Sequence, residues 1–161
     1  RGDGIECADM FIVPFNTSHD AAQPLGFVVH MPDGRKIAVA TDMGYVSGEV
    51  LSAITGCDLV YIESNHDVEM LKSGPYPYPL KKRIMSDIGH LSNDACADTL
   101  TALINKGTTR FVLAHLSKEN NLPSIAAQCA QSALFQVGAK QNRDYILSVV
   151  EPENTCEAVI F

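Results

Sequence analysis

Short apolar runs alternate along the chain with stretches of helical length, and Gly, Pro, Asn or Asp separate most of them. Apolar runs bounded in this way are typical of strands. The predicted strands comprise residues 11–15, 25–31, 36–41, 58–64, 110–116, 145–150 and 156–161. The predicted helices comprise residues 47–55, 66–73, 80–87, 94–106 and 123–137. Strands that alternate with helices in the middle of the chain indicate an α/β layered fold.

Turn and capping residues support these boundaries. The Asp-Gly pair within residues 32–35 predicts a hairpin between two apolar runs. Pro14 inside the first strand predicts an edge strand or a bulge. Ser47 is a suitable N-cap for the first helix, and either Ser92 or Asn93 can cap the long helix.

Length and composition indicate one globular domain. The chain has 161 residues, of which 46% are hydrophobic and 19% charged, and this size allows one domain with its own core. The apolar runs are too short to cross a bilayer and no signal peptide is visible, so we expect a soluble, cytoplasmic protein. The five cysteines form no C-x-x-C pair, which argues against a disulfide framework or a cysteine zinc cluster.

The net charge of −7 argues against indiscriminate binding of phosphate backbones by the whole surface. Lys81, Lys82 and Arg83 are the candidates for a local basic patch, with a solvated helix face as the alternative. Residues 74–79, just before them, contain three prolines and predict a stiff, irregular loop.

Residues that can bind metals follow several of the apolar runs. His19 follows the first strand, Asp42 ends the third and His115 ends the run that begins at Arg110. Stiff strands that deliver imidazole and carboxylate groups to one rim can hold a metal ion. Taken singly, His19 can be a surface residue, Asp42 a turn cap and His115 a hydrogen-bonded core histidine. Their repeated placement predicts a metal-dependent hydrolase.

Two further positions are suited to acid–base chemistry. Glu63 ends a buried strand and can orient an imidazole or accept a proton. His90 lies just before a helix N-terminus, where backbone N–H groups and the helix dipole favour an anion. A histidine beside such an anion can donate a proton to a leaving oxygen, although a capping loop with an incidental histidine is the alternative. His66 can meet substrate or belong to a helix cap.

Together these motifs resemble the C-terminal part of the metallo-β-lactamase-fold hydrolases, and most closely their YycJ-like branch of bacterial metallohydrolases. The similarity extends over nearly the whole chain, and its Gly-His-Leu-Ser-Asn and Ala-His-Leu-Ser segments are specific. The segments that carry it are Phe15-Asn-Thr-Ser-His-Asp-Ala21, Ala40-Thr-Asp-Met-Gly44, Ile62-Glu-Ser-Asn-His-Asp67, Gly74-Pro-Tyr-Pro-Tyr-Pro-Leu-Lys81, Ser86-Asp-Ile-Gly-His-Leu-Ser-Asn93 and Leu113-Ala-His-Leu-Ser-Lys-Glu-Asn-Asn121.

The resemblance implies a four-layer αβ/βα sandwich with two divalent metal ions at one edge, and zinc is expected ahead of manganese. In this comparison His19 resembles the histidine that completes the ligands of the first metal. Asp42 resembles the carboxylate that bridges both ions, and His115 resembles the histidine on the second. Glu63 and His90 resemble the acid–base pair of the related tRNA-processing nucleases, whose glycine-histidine-serine loop matches here only in part.

The family's His-x-His-x-Asp-His motif, which lies in its N-terminal half, is absent from this sequence. The chain also begins with Arg1 rather than Met. We therefore expect residues 1–161 to form a single domain that is the C-terminal part of a longer enzyme and is inactive alone. The alternative is a non-catalytic scaffold that has lost the metal motif.

For the complete protein, the resemblance implies a phosphodiesterase, and in this branch a 5′-directed DNA exonuclease, so the expected partner is nucleic acid or a small phosphodiester. The anion-friendly helix entrance at His90 and the nearby lysines favour a phosphodiester. The alternative is hydrolysis of a small ester, thioester or cyclic phosphodiester by the same site. Six residues are assigned to substrate binding: Asn65, His66, Ser92, Asn93, Lys81 and Lys82.

Overall fold

A computed structural model describes residues 4–150, in which seven strands form one mixed sheet in the order β1 to β7. The strands are β1 (Ile5–Cys7), β2 (Met10–Asn16), β3 (Leu25–His30), β4 (Lys36–Ala40), β5 (Leu59–Glu63), β6 (Arg110–Ala114) and β7 (Ile146–Val149). Strands β1 to β4 pair antiparallel, and β4 to β7 pair parallel. The predicted α/β layered architecture is confirmed, whereas the short strand β1 was not predicted.

Five helices connect or follow these strands. They are α1 (Gly48–Ile54), α2 (Val68–Ser73), α3 (Tyr78–Ile84), α4 (Asn93–Ile104) and α5 (Pro123–Gln136). Ser47 and Ser92 cap α1 and α4, since their hydroxyls accept the N–H groups of Val50 and Ala95. Of the two candidate caps for the long helix, Ser92 is therefore the one used. The strand predicted at residues 156–161 lies outside the described residues.

The predicted range of this helix was 80–87. Helix α3 begins two residues earlier, at Tyr78, and ends three residues earlier, at Ile84. Pro77 is its N-cap residue and Pro79 lies in its first turn. Proline is tolerated there because the first N–H groups of a helix have no partner within the helix. The prediction of an irregular loop at residues 74–79 is therefore wrong at its end, because Pro77 and Pro79 lie at the start of the helix.

One face of the sheet carries the hydrophobic core. Val28, Ala38, Val60 and Phe111 share this face through the strand registers and are buried. They belong to one cluster with side chains of α1, α4 and α5. The second face is also apolar but more open, and Phe27 on it remains 39% exposed. The described residues thus form a sheet with helices packed on its first face.

The direction of the strands brings five strand ends to one edge of the sheet. Strands β2 and β4 run the same way because β3 is antiparallel to both, and β5, β6 and β7 are parallel to β4. Side chains that follow any of these five strands therefore meet at the same edge, where neighbouring strands lie about 4.8 Å apart.

The cysteines among the described residues are free and form no disulfide bond. Cys57 and Cys96 are buried, and burial raises the pKa of the Cys57 thiol to about 11 and that of Cys96 to about 12. These two side chains act as small apolar residues at neutral pH. Cys156 lies outside the described residues. Within residues 4–150, no helix is long and apolar enough to cross a lipid bilayer.

Candidate metal centre

Three imidazoles surround the carboxylate of Asp42 at this edge. The Oδ1 atom of Asp42 lies 4.0 Å from His19 Nε2, 3.8 Å from His90 Nδ1 and 3.7 Å from His115 Nδ1. The residues expected at one rim from their positions after strands therefore lie together. His19 arrives from the loop after β2, Asp42 from the loop after β4 and His115 from the end of β6.

Glu63 is the fully buried carboxylate beneath these imidazoles. Its Oε1 accepts hydrogen bonds from the Nδ1 atoms of His90 and His115, both at 2.7 Å. Its Oε2 accepts the backbone N–H groups of Met43 at 3.0 Å and Leu91 at 3.4 Å. Burial raises the pKa of this carboxyl, but the hydrogen bonds outweigh it and hold the pKa below its usual value. Glu63 is therefore an ionised acceptor at neutral pH.

These contacts determine where the imidazole protons lie. An ionised carboxylate only accepts, so the Nδ1 atoms of His90 and His115 carry protons, and each Nε2 is available for a metal or a second proton. The hydrogen bond to Glu63 raises the pKa of His115. His19 Nδ1 lies 2.9 Å from the carbonyl oxygen of Gly89 and donates to it, which leaves its Nε2 available as well.

The backbone at two of these positions is left-handed. Asp42 and His115 both have φ = 54°, a conformation that costs a non-glycine residue on the order of 1 kcal/mol. The turn at each strand end directs the side chain into the site. The carbonyl of His115 accepts a hydrogen bond from Asn65 Nδ2 at 2.8 Å, so a neighbouring loop helps to hold this strained residue.

The His19 and Asp42 loops are tied together through Ser18. The Ser18 carbonyl accepts the Gly44 N–H at 2.8 Å, and the Ser18 hydroxyl accepts the Tyr45 N–H at 3.2 Å. The same hydroxyl donates to the Tyr45 carbonyl at 3.1 Å. These loop-to-loop bonds fix the separation of His19 from Asp42.

A buried polar network, of which Ser64 and Asn121 were not among the predicted site residues, supports the other half of the centre. Ser64 Oγ donates to Asn93 Oδ1 at 2.7 Å, and the amides of Asn93 and Asn121 bond each other reciprocally at 2.9 Å. Asn121 Nδ2 also reaches the carbonyls of Ser64 and Asn65. The available signal was that Ser64 directly follows Glu63 and that two asparagines follow His115 before Pro123.

The residues assigned to substrate binding divide into buried and exposed groups. Asn65 and Asn93 are buried in contacts with protein atoms, and the Ser92 hydroxyl caps α4. His66 is 2% exposed, its Nδ1 has no hydrogen-bond partner, and burial lowers its pKa. Contact of these residues with substrate stays a prediction.

The basic residues of α3 lie beside the centre. Arg83 makes a bidentate ion pair with Asp20, at 2.6 and 2.7 Å, next to His19. The hydrogen bond from Arg83 lowers the pKa of Asp20. Lys81 Nζ donates to the Lys72 carbonyl at 2.6 Å, whereas Lys82 is exposed. Of the two predicted substrate lysines, Lys82 is therefore the more accessible to a ligand.

The donor set suits a divalent metal ion. Asp42, Glu63, His90 and His115 can each offer one ligand atom, and these atoms lie within 4.8 Å of one another. His19 lies outside this group but close to Asp42. Imidazole and carboxylate ligands suit zinc and also manganese. Since the oxygens of Glu63 already accept four hydrogen bonds, the carboxylate that remains open to a cation is that of Asp42.

Residues 1–116 match the family described as a β-lactamase superfamily domain. The chain is 40% identical over 137 residues to exodeoxyribonuclease YycJ of Bacillus anthracis, an alignment that covers 85% of this chain and 52% of that protein. It is 38% identical over 145 residues to exodeoxyribonuclease WalJ of Streptococcus pneumoniae serotype 2, covering 90% and 54%. The chain spans about half the length of the curated relatives it matches.

A solved structure shows the same fold. The metallo-β-lactamase fold protein YhfI of Bacillus subtilis superposes with a TM-score of 0.63 at 11% identity, covering 92% of this chain and 48% of that one. The expected metallo-β-lactamase-type fold and the resemblance to the YycJ-like branch are both confirmed. The chain corresponds to about half of that solved structure.

Replacing Asn121 with alanine tests the buried network. The substitution removes the partners of the Asn93 side-chain N–H, the Ser64 carbonyl and the Leu122 N–H, so we expect a loss of about 3 kcal/mol in the free energy of unfolding, measured by urea denaturation. Asn105→Ala is the control, because this exposed residue ends α4 away from the network, and its expected loss is about 0.5 kcal/mol or less. Equal losses in the two variants would contradict the network's role.

Replacing Gly89 with alanine tests the packing of the His90 loop against α3. A Cβ atom at Gly89 would clash with the backbone oxygens of Arg83 and Ile84. We expect the loop to shift and the His90–Glu63 hydrogen bond to weaken, seen as loss of a downfield Nδ1 proton resonance, with about 1–3 kcal/mol lower stability. Gly48→Ala, where no atom lies within 4 Å of the new Cβ, should change neither. An unshifted resonance in Gly89→Ala would refute this account.

Proposed function

Because the chain belongs to the β-lactamase superfamily, we propose that it forms part of a metal-dependent phosphodiesterase that acts as a DNA exonuclease. The observation that carries this proposal is the meeting of His19, His90 and His115 around Asp42 at one sheet edge. The curated relatives named as exodeoxyribonucleases support DNA as the substrate. Since the chain spans about half of each of them, the activity is proposed for the whole protein.

Asp42, His19 and His115 are the residues proposed to hold two divalent ions, with zinc expected ahead of manganese. When bound, divalent ions polarise a phosphoryl oxygen and acidify water. Further ligands from the remainder of the protein are part of the proposal, because three side chains from this chain are few for two ions. The imidazoles are suited to this role because each has a ring nitrogen that is not used by Glu63 or Gly89.

Glu63 is proposed as a positioning residue. It is fully buried and its two oxygens already accept four hydrogen bonds, so it offers little to a substrate. By accepting from Nδ1 of both His90 and His115, it fixes the orientation of both rings and directs their chemistry to Nε2.

His90 is proposed as the general acid. Hydrolysis of a phosphodiester joins the oxygen of water to phosphorus, breaks one P–O ester bond and adds a proton to the leaving oxygen. We place that proton on His90 Nε2, because Glu63 accepts from Nδ1 of the same ring and leaves Nε2 to face a ligand. His90 also lies close to the N-terminus of α4, where an anionic phosphate is favoured. This placement favours a phosphodiester over an uncharged ester.

The substitution Asp42→Asn in the whole protein tests the metal centre. The amide removes the charge that attracts the cations, so we expect bound metal, measured by mass spectrometry of the desalted protein, to fall by at least half. Cleavage of 5′-phosphorylated DNA should fall by about 10³-fold or more, consistent with loss of metal catalysis. Asp98→Asn, on the exposed side of α4, is the matched control. Wild-type metal content and rate in Asp42→Asn would remove Asp42 from the centre.

The substitution His90→Ala separates acid catalysis from metal binding. We expect metal content to remain near that of the wild type while the chemical step, followed by single-turnover cleavage of DNA, slows about 10²-fold or more. A substrate with an activated leaving group, such as a 4-nitrophenyl phosphodiester, should be much less affected because it needs little protonation. His30→Ala, at the opposite edge of the sheet, is the control. Loss of metal from His90→Ala would make His90 a ligand instead.

A further inference from the structure

Helix α3 and its C-cap residue present an exposed stripe formed by Tyr78, Lys82 and Met85. These residues have the spacing i, i+4, i+7, which places them on one side of a helix. Tyr78 is 75% exposed and Met85 43% exposed, and Lys82 is exposed between them. A tyrosine this exposed is unusual on a helix whose Leu80 is half-buried and whose Ile84 is buried. We call these three residues the α3 stripe.

The stripe leads directly to the proposed catalytic centre. The Ile84 carbonyl at the end of α3 accepts the backbone N–H of His90 at 3.0 Å. Tyr78 lies six residues before Ile84, which corresponds to about 9 Å along a helix axis. At about 3.4 Å for each stacked nucleotide, two or three nucleotides cover that length. A strand with one end at His90 therefore has the reach to pass Tyr78.

The helix is held rigidly against the site. Three prolines restrict the backbone before and within its first turn. Lys81 Nζ is bonded to the Lys72 carbonyl, and Arg83 is paired with Asp20. A rigid surface loses little entropy when it binds a ligand, so an exposed aromatic ring on it is well placed for recognition.

The positive charge around the α3 stripe is complementary to the phosphate backbone of a nucleic acid. Residues 73–86 contain three basic residues and no Asp or Glu, although the whole chain has a net charge of −7. A basic segment that carries an exposed aromatic ring is typical of surfaces that bind single-stranded nucleic acid, because bases stack on the ring while cations track the phosphates.

We propose that the α3 stripe binds the single-stranded end of the DNA substrate, with a base stacked on Tyr78 and a phosphate at Lys82. This inference rests on the proposed function and extends it, since it assigns the nucleotides next to the cleaved bond to a defined surface. Met85 supplies apolar contact between the stacked base and the centre. The sequence-independent character of stacking suits an exonuclease that must pass every base.

Binding of a short 5′-phosphorylated oligothymidylate tests the stripe. The oligonucleotide carries a 3′ fluorophore and cleavage-resistant phosphorothioate linkages, and affinity to the whole metal-loaded protein is measured by fluorescence anisotropy. We expect Tyr78→Ala to raise Kd about tenfold, because one stacked base loses its aromatic partner. Tyr78→Phe, which retains the ring, should bind like the wild type. Phe135→Ala is the matched control, since Phe135 on α5 is 72% exposed.

The salt dependence of binding tests the phosphate contact. Lys82→Gln should reduce the slope of log affinity against log salt by about 0.7, the value for one phosphate contact on a single strand. Lys106→Gln, an exposed lysine just beyond α4, should leave the slope unchanged. A slope in Lys82→Gln equal to that of Lys106→Gln would overturn the assignment of Lys82.

The outcomes separate this inference from the proposed function. If the wild type binds and cleaves DNA while Tyr78→Ala and Phe135→Ala have equal affinity, the stripe is overturned and the nuclease assignment remains. If the wild type hydrolyses a small phosphodiester but neither binds nor cleaves DNA, both are overturned. If Tyr78→Ala weakens self-association in sedimentation and leaves DNA affinity unchanged, the stripe is instead an interface between protein chains.

Discussion

The carboxylate of Glu63 is the constraint on which the site depends. It lies with 0% exposure at the end of a central strand, and an ion in that position is tolerated only when its oxygens are fully hydrogen-bonded. Two imidazoles and two backbone N–H groups supply those bonds. The requirement to satisfy one buried charge thus fixes His90 and His115, which belong to different loops, in one arrangement that leaves Nε2 of both rings available.

The parallel half of the sheet brings the residues of the site together. Strands β4, β5 and β6 are neighbours and run in one direction, so Asp42, Glu63 and His115 arrive at the same level of one edge. The left-handed backbone at Asp42 and His115 is less stable than a regular strand end. The hydrogen bond from Asn65 to the His115 carbonyl helps to offset this strain at the end of β6. Rigid support of this kind is what precise placement of ligands and acids requires.

The sequence predicted those features of the fold and the site that local chemistry determines. Hairpin residues 32–35, the cap at Ser47 and the strand before Glu63 each carry their own signal, and polar residues after apolar runs identified the rim. The rest depends on tertiary contacts. Two imidazoles share one Glu63 oxygen, and Asn121 bonds to Asn93, which is 28 positions away in the sequence. Pro79 lies in the first turn of a helix that is stabilised by its packing against the His90 loop. None of these can be read from a local pattern, since each is chosen by burial and partners elsewhere.

We propose that Asp42 and His115 share a cation with His19 beside them. Anomalous diffraction from crystals of the whole protein, recorded above and below the zinc absorption edge, can locate that cation. We expect a zinc peak about 2.0–2.2 Å from a carboxylate oxygen of Asp42 and from an imidazole nitrogen of His115 or His19. A fully loaded protein whose anomalous peaks all lie away from these three side chains would contradict it.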